Sequence, residues 1–145
     1  GIGTEEAILP LLQGLKHDDY GVRKCAISAL GSMGKKAGET IPAIIESTKD
    51  EDERVRHEAV VALSNIKSRP DLSVPALIKC LTDPEPYVWE QTIRALREFG
   101  TDAKAATPEL LQIHKKYHDD FSITFEIEYT LEETDPQTAT ELEIR

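Results

Sequence analysis

Residues 121–135 read FSITFEIEYTLEETD, and whether they form a strand or a helix decides the fold. Apolar and polar side chains alternate from Phe121 to Leu131, and most are β-branched or aromatic, the pattern of a strand with one dry face. The same stretch carries a second signal. Ile123 and Leu131 stand eight residues apart, as do Val22 and Leu30, Val55 and Leu63, and Val88 and Leu96. A lone strand here would recruit another strand from a partner or a second copy. A helix would make the segment the fourth copy of a repeated unit.

Four prolines set that repeat. Pro10, Pro42, Pro75 and Pro108 are spaced by 32, 33 and 33 residues, and each heads an apolar run: PLLQGL, PAIIES, PALIKCL, PELLQI. Proline suits the first turn of a helix, where its missing N–H costs nothing. Acidic turns follow: HDD at 17–19, DEDE at 50–53, DPEP at 83–86 and HDD at 118–120. The second segments begin at Val22, Val55, Val88 and Ile123. In the first three, apolar or small residues recur at the first, fifth, sixth, eighth, ninth and twelfth positions, a helical stripe with alanine where helices approach closely. Gly34 and Gly100 are placed to end their helices. In the fourth unit Thr130 takes the place of Ala29, Ala62 and Ala95, and Ile123, Ile127, Thr130, Leu131 and Thr134 line one helical face. Helix propensities differ by only a few tenths of a kcal/mol per residue, so packing against a preceding helix overrides them. The expectation for 121–134 is helix.

DDYGVRKCAISALGSMG and DEDERVRHEAVVALSNI, and more loosely DPEPYVWEQTIRALREFG, resemble the HEAT repeat, in particular the short variety also found in phycobilin lyases. The resemblance implies an all-α protein, an α-solenoid of about four helix pairs in a right-handed superhelical stack. Units are expected at about 4–34, 35–67, 68–100 and 101–135 within one domain, with a tail at 136–145. GIGTEEAILP looks like the end of an earlier second helix, so the chain reads as part of a longer array. The resemblance also implies polar rungs between units, with Asp19 meeting Arg23 and Asp52 meeting Arg56; Trp89 and Thr124 occupy the arginine's place in the later units.

The family pattern further implies which second-helix positions face inward. These are Tyr20, Lys24, Ser28 and Ser32; Arg54, His57, Val61 and Asn65; Tyr87, Glu90, Gln91, Arg94 and Glu98; then Ser122, Phe125, Glu126, Tyr129 and Glu133. Aromatic side chains beside Arg, His and Asn are the composition of binding hot spots.

Charge narrows the partners. The formal net charge is −10, and residues 101–145 carry eleven acidic against four basic side chains. Such a chain repels phosphate backbones, and the inward Lys24, Arg54, His57 and Arg94 are interrupted by Glu58, Glu90 and Glu98. No apolar run is long enough to span a bilayer. Cys25 and Cys80 make neither a disulfide framework nor a zinc site and read as buried reduced thiols, in keeping with a cytoplasmic protein. His114 and His118 share a helix face, but HKKYHDD sets two lysines beside the imidazoles and reads as a solvated surface rather than a metal site. There is no GxSxG, phosphate loop or CxxC. The expected function is non-enzymatic: a scaffold, without cofactor, that binds a protein or peptide on its inner face. The alternative, by fold analogy, is a phycobilin-lyase-like subunit acting on a tetrapyrrole; nucleic-acid binding comes third.

Overall fold

In the computed structural model, which describes residues 2–144 and their side chains from Glu6 to Glu143, every regular element is helical. The α-helices are α1 (Ile2–Gly14), α2 (Tyr20–Ser32), α3 (Ile41–Ser47), α4 (Glu53–Ile66), α5 (Pro70–Cys80), α6 (Pro86–Arg97), α7 (Thr107–Lys116), α8 (Phe121–Thr134) and α9 (Pro136–Ile144). Two 3-10 stretches, Gly34–Thr40 and Gly100–Ala106, lead into α3 and α7. The second helices α2, α4, α6 and α8 pack side by side in chain order, and α1, α3, α5 and α7 each lie against their own second helix. This is an α-solenoid, in which one helix pair cannot stay dry alone and a continuous core forms only by stacking.

The opening stretch is a helix, and its alternation has a physical resolution. Residues two apart on a helix lie nearly opposite each other, while residues four apart lie on one face. The apolar residues therefore split into two rows. Ile123, Ile127 and Leu131 turn into the core, with Ile127 and Leu131 fully buried beside Thr130 and Thr134. Phe121, Phe125 and Tyr129 stay exposed on the other side. Asp120 caps the helix by accepting hydrogen bonds from the backbone N–H groups of Ser122 and Ile123.

The core follows the recurring stripe: Ala26, Ile27 and Leu30, then Val55, Ala59, Val60, Ala62, Leu63 and Ile66, then Val88, Thr92, Ile93, Ala95, Leu96 and Phe99 are buried. Val22 departs from it, being exposed; of the two thiols expected to be buried, Cys25 is exposed and only Cys80 is buried, which pushes its thiol up to about 11. Helix ends share one register. Gly34, Lys67 and Gly100, each 33 residues apart, all adopt left-handed backbone, with φ of 60°, 49° and 56°. Lysine occupies that conformation in the middle unit against its steric preference.

Several local expectations need correction. Pro42 and Pro108 do sit in the first turn of α3 and α7, whereas Pro10 and Pro75 lie inside α1 and α5, which begin upstream at Ile2 and Pro70. Residues 2 onward belong to α1 itself and not to an earlier second helix; Gly1 lies outside the described residues. The segment expected as a tail forms α9, with Ala139 buried against α8. Asp135 joins the two. Burial disfavours its charge, but hydrogen bonds from the Thr138 and Thr107 hydroxyls outweigh that and hold the carboxyl below the ordinary range.

The rungs are also paired differently. Arg23 does not meet Asp19, because that carboxylate caps α2 through the N–H groups of Gly21 and Val22. Its guanidinium instead donates to both carboxylate oxygens of Asp50, at 2.9 and 3.1 Å, and to the carbonyls of His17 and Asp18. Arg56 likewise bypasses Asp52, the cap of α4, and donates to Asp83 at 2.8 and 3.2 Å and to the carbonyls of Asp50 and Glu51. Each arginine thus ties its own turn to the turn of the next unit. In the third unit Trp89 is buried and packs against Tyr117 in a tilted arrangement with centroids 5.3 Å apart, an aromatic contact at the corresponding place.

The pairing is open to a double-mutant cycle. Arg56→Gln with Asp83→Asn is expected to show coupling of about 1–2 kcal/mol in urea unfolding, as a bidentate, largely desolvated pair should. The cycle of Arg56→Gln with Asp52→Asn should show none. The opposite ranking would restore the pairing within one turn.

Candidate binding face

The face of α2, α4, α6 and α8 turned away from the core carries the residues singled out above. Tyr20, Lys24, Arg54, Asn65, Tyr87, Arg94, Phe125 and Tyr129 are exposed, and His57 and Gln91 are half-buried. The helices that hold them start where Asp19, Asp52 and Asp120 cap, so the first turns of α2, α4 and α8 are fixed by side-chain acceptors.

Contacts cross every seam between neighbouring helices. From α4, Arg54 lies over the Tyr20 ring of α2 at 3.7 Å and donates to its hydroxyl at 2.9 Å. The same guanidinium holds Asp52, whose carboxyl falls to about 2 chiefly through that hydrogen bond. Between α4 and α6, the His57 and Tyr87 rings stand 5.4 Å apart. Between α6 and α8, Arg97 donates to Glu126 and to the Thr130 hydroxyl and lies over the Tyr129 ring at 4.2 Å. Arg94 approaches the same Glu126 carboxylate at 3.7 Å and donates to Gln91 at 3.4 Å. Asn65 stands apart from this row, beside Gly31 at the far end of α4.

His57 sits at the middle. Burial is the main cause that lowers its pKa; Lys24 and Arg94 add to the effect, and Glu58 opposes it. A neutral imidazole is therefore favoured between two cations.

Some contributors do not stand out in the sequence. Asp50 and Asp83 are hidden among acidic turn residues, since nothing local says which carboxylate reaches the preceding unit. Arg97 follows a recurring leucine where the other units have Gly31, Ser64 and Glu132, and that oddity was the available signal. Phe121 reads as a strand start. Elsewhere, the His114 Nε2 lies 2.8 Å from the Glu128 carboxylate, which accepts, and His118 lies 3.2 Å from Asp119; no cluster of three potential metal ligands occurs among the described residues. A cavity of about 90 Å³ between α6 and α8, lined by Arg94, Ser122 and Glu126 among others, is smaller than small-molecule sites usually are. No described helix is long and apolar enough to cross a membrane.

The profile of the HEAT repeats matches residues 8–74 and 41–131. The chain belongs to the HEAT-repeat family. No curated protein matches it. Among solved structures, the fold is similar to two crystal structures of engineered proteins from the Northeast Structural Genomics Consortium. One matches with a TM-score of 0.66 at 20% identity, over 86% of this chain and 60% of that one. The other gives 0.60 at 22% identity, over 86% of this chain and 36% of that one. The HEAT chain thus spans less than two thirds of either. HEAT repeats commonly serve protein interactions and are typically scaffolds rather than catalysts.

The sign of the His57 effect gives a test. Its folded-state pKa lies below the ordinary 6.5, so unfolding takes up a proton as pH falls through that value. Stability should be unaffected well above pH 6.5, drop as pH falls through it, and level off below the folded pKa. An NMR titration should place the imidazole below 6.5, and His57→Gln should remove this part of the pH dependence. An imidazole titrating at or above that value contradicts the placement.

Proposed function

We propose that the chain is a non-catalytic docking module that holds a polypeptide segment along the face of α2, α4, α6 and α8. One observation carries this reading: exposed aromatic rings on that face, Tyr20, Tyr87, Phe125 and Tyr129, alternate with Arg54, His57 and Arg94 across adjoining helices. Rings bury much area with few rotors to freeze, and arginine adds directional hydrogen bonds, so these are the residue types that dominate binding energy. Mutual contacts such as Arg54 on Tyr20 and His57 on Tyr87 hold the side chains in place before a partner arrives. A pre-ordered face loses less entropy on association. The surface is a shelf rather than an enclosed cavity, which suits an extended or helical segment better than a small molecule.

Peptides selected against the parent chain from a random display library provide the test. The expected result is a loss of at least about tenfold in affinity on Tyr87→Ala and on Arg94→Glu, with circular dichroism unchanged. Selected peptides that bind both variants as well as the parent would place the docking surface elsewhere.

A further inference from the structure

The middle of the binding face gathers basic side chains from three helices. Tyr20 of α2 and Arg54 of α4 touch across their seam at 3.7 Å, and further along the same two helices Gly31 packs against Ala62. Lys24 and His57 stand between these two points, each about one turn beyond Tyr20 and Arg54, so they share one level of the seam. Across the next seam the His57 ring lies 5.4 Å from the Tyr87 ring of α6. Arg94 is on the same face, one turn beyond Glu90, the α6 residue that repeats His57 at the 33-residue period.

These groups are poorly compensated. Lys24 is exposed and makes no ion pair or hydrogen bond among the described residues, and the His57 ring makes no hydrogen bond among them. Arg94 is engaged only in part. Its Nη1 donates to Gln91 at 3.4 Å and its Nε lies 3.7 Å from the Glu126 carboxylate, which Arg97 holds more closely, while its Nη2 has no partner among the described residues. The surrounding carboxylates are directed elsewhere: Arg54 holds Asp52, Glu53 acts on Tyr87, and Glu90 lines the small cavity between α6 and α8. Around His57 this leaves Glu58 on its own helix against Lys24 on α2 and Arg94 on α6.

Resting on the reading of this face as a polypeptide dock, we propose that the docked segment is acidic at its centre, with an Asp or Glu side chain seated between Lys24 and His57 and an apolar neighbour covering the Tyr87 ring. A basic side chain at that point would meet like charges. A neutral one would strip water from the lysine and give nothing back. A polyanion such as nucleic acid is repelled by the rest of a chain at net charge −10, whereas one carboxylate needs only the local field. The imidazole makes the site sensitive to pH: a bound carboxylate favours imidazolium, so docking tightens as pH falls.

The test uses the peptides selected against the parent chain. They are expected to share an acidic residue, and its replacement by glutamine should cost at least about tenfold in affinity. Lys24→Gln combined with His57→Gln should weaken the acidic peptide by about tenfold and the glutamine peptide by less than about twofold, whereas Lys79→Gln, on α5 away from this face, should change neither. Lys24 and His57 are outside the core, so circular dichroism should be unchanged. With the acidic peptide bound, the NMR titration of His57 should move upward, and its affinity, unlike that of the glutamine peptide, should rise between about pH 7.5 and 5.5. Peptides without a shared acidic residue, equal binding of the glutamine peptide, undiminished binding in the double variant, equal loss in the Lys79 variant or an unmoved His57 titration each overturns the proposal. The wider docking reading survives any of these as long as Tyr87→Ala weakens the selected peptides. Peptides indifferent to Tyr87→Ala and Arg94→Glu, or a selection that yields none, overturn that reading and this inference with it.

Discussion

The structure depends on how closely neighbouring helices approach. At Gly31 of α2 an added Cβ would lie 3.2 Å from both the Cα and the Cβ of Ala62 on α4, and at Gly14 of α1 it would lie 3.0 Å from the Cβ of Ala26 on α2. Such spacing leaves room for a hydrogen on one helix facing a methyl group on the other, and nothing larger. Ala59, Ala62 and Ala95 are buried along the same seams. Once the second helices stand this close, their leucines and isoleucines interlock, and the polar residues at the turns come within reach of the next unit. The Arg23–Asp50 and Arg56–Asp83 pairs are consequences of that spacing; by themselves they would be too weak to create it.

At the last seam the same constraint is met with a different group. Thr130 stands where earlier units have alanine, and its hydroxyl donates to the Ile93 carbonyl on α6 while accepting from Arg97. Burying a hydroxyl without partners would cost about 1–3 kcal/mol, so the bonds are what allow threonine here. They also position Arg97, which in turn orders Tyr129 and Glu126 on the exposed side. Packing at the seam and the arrangement of the binding face are thus one structure seen from two sides.

Much of this was legible in the residues. A 33-residue period, proline heads, acidic turns and the eight-residue spacing of Val55 to Leu63 determine a helical repeat, and they outweighed the strand-like alternation of 121–131 because that alternation also describes two opposite rows on a helix. The inward positions of the second helices were what the resemblance to HEAT repeats implied. What could not be read was pairing at a distance. Asp19 and Asp50 are both turn carboxylates, and only the three-dimensional offset between units makes one a cap and the other a rung. The starts of α1 and α5 were missed for a related reason: a proline is compatible with a first turn but does not require one, and Pro70 offered a second candidate five residues before Pro75.

Gly31→Ala tests the central claim by its sign. In a helix free of close neighbours, replacing glycine by alanine stabilises by up to about 1 kcal/mol through propensity. Here the new methyl group meets the Ala62 backbone, so the urea midpoint should fall, and Gly31→Ala combined with Ala62→Gly should recover part of the loss. A midpoint that rises in the single variant would mean that α4 yields to the added methyl group at no net cost, and the claim that this close approach constrains the stack would have to be abandoned.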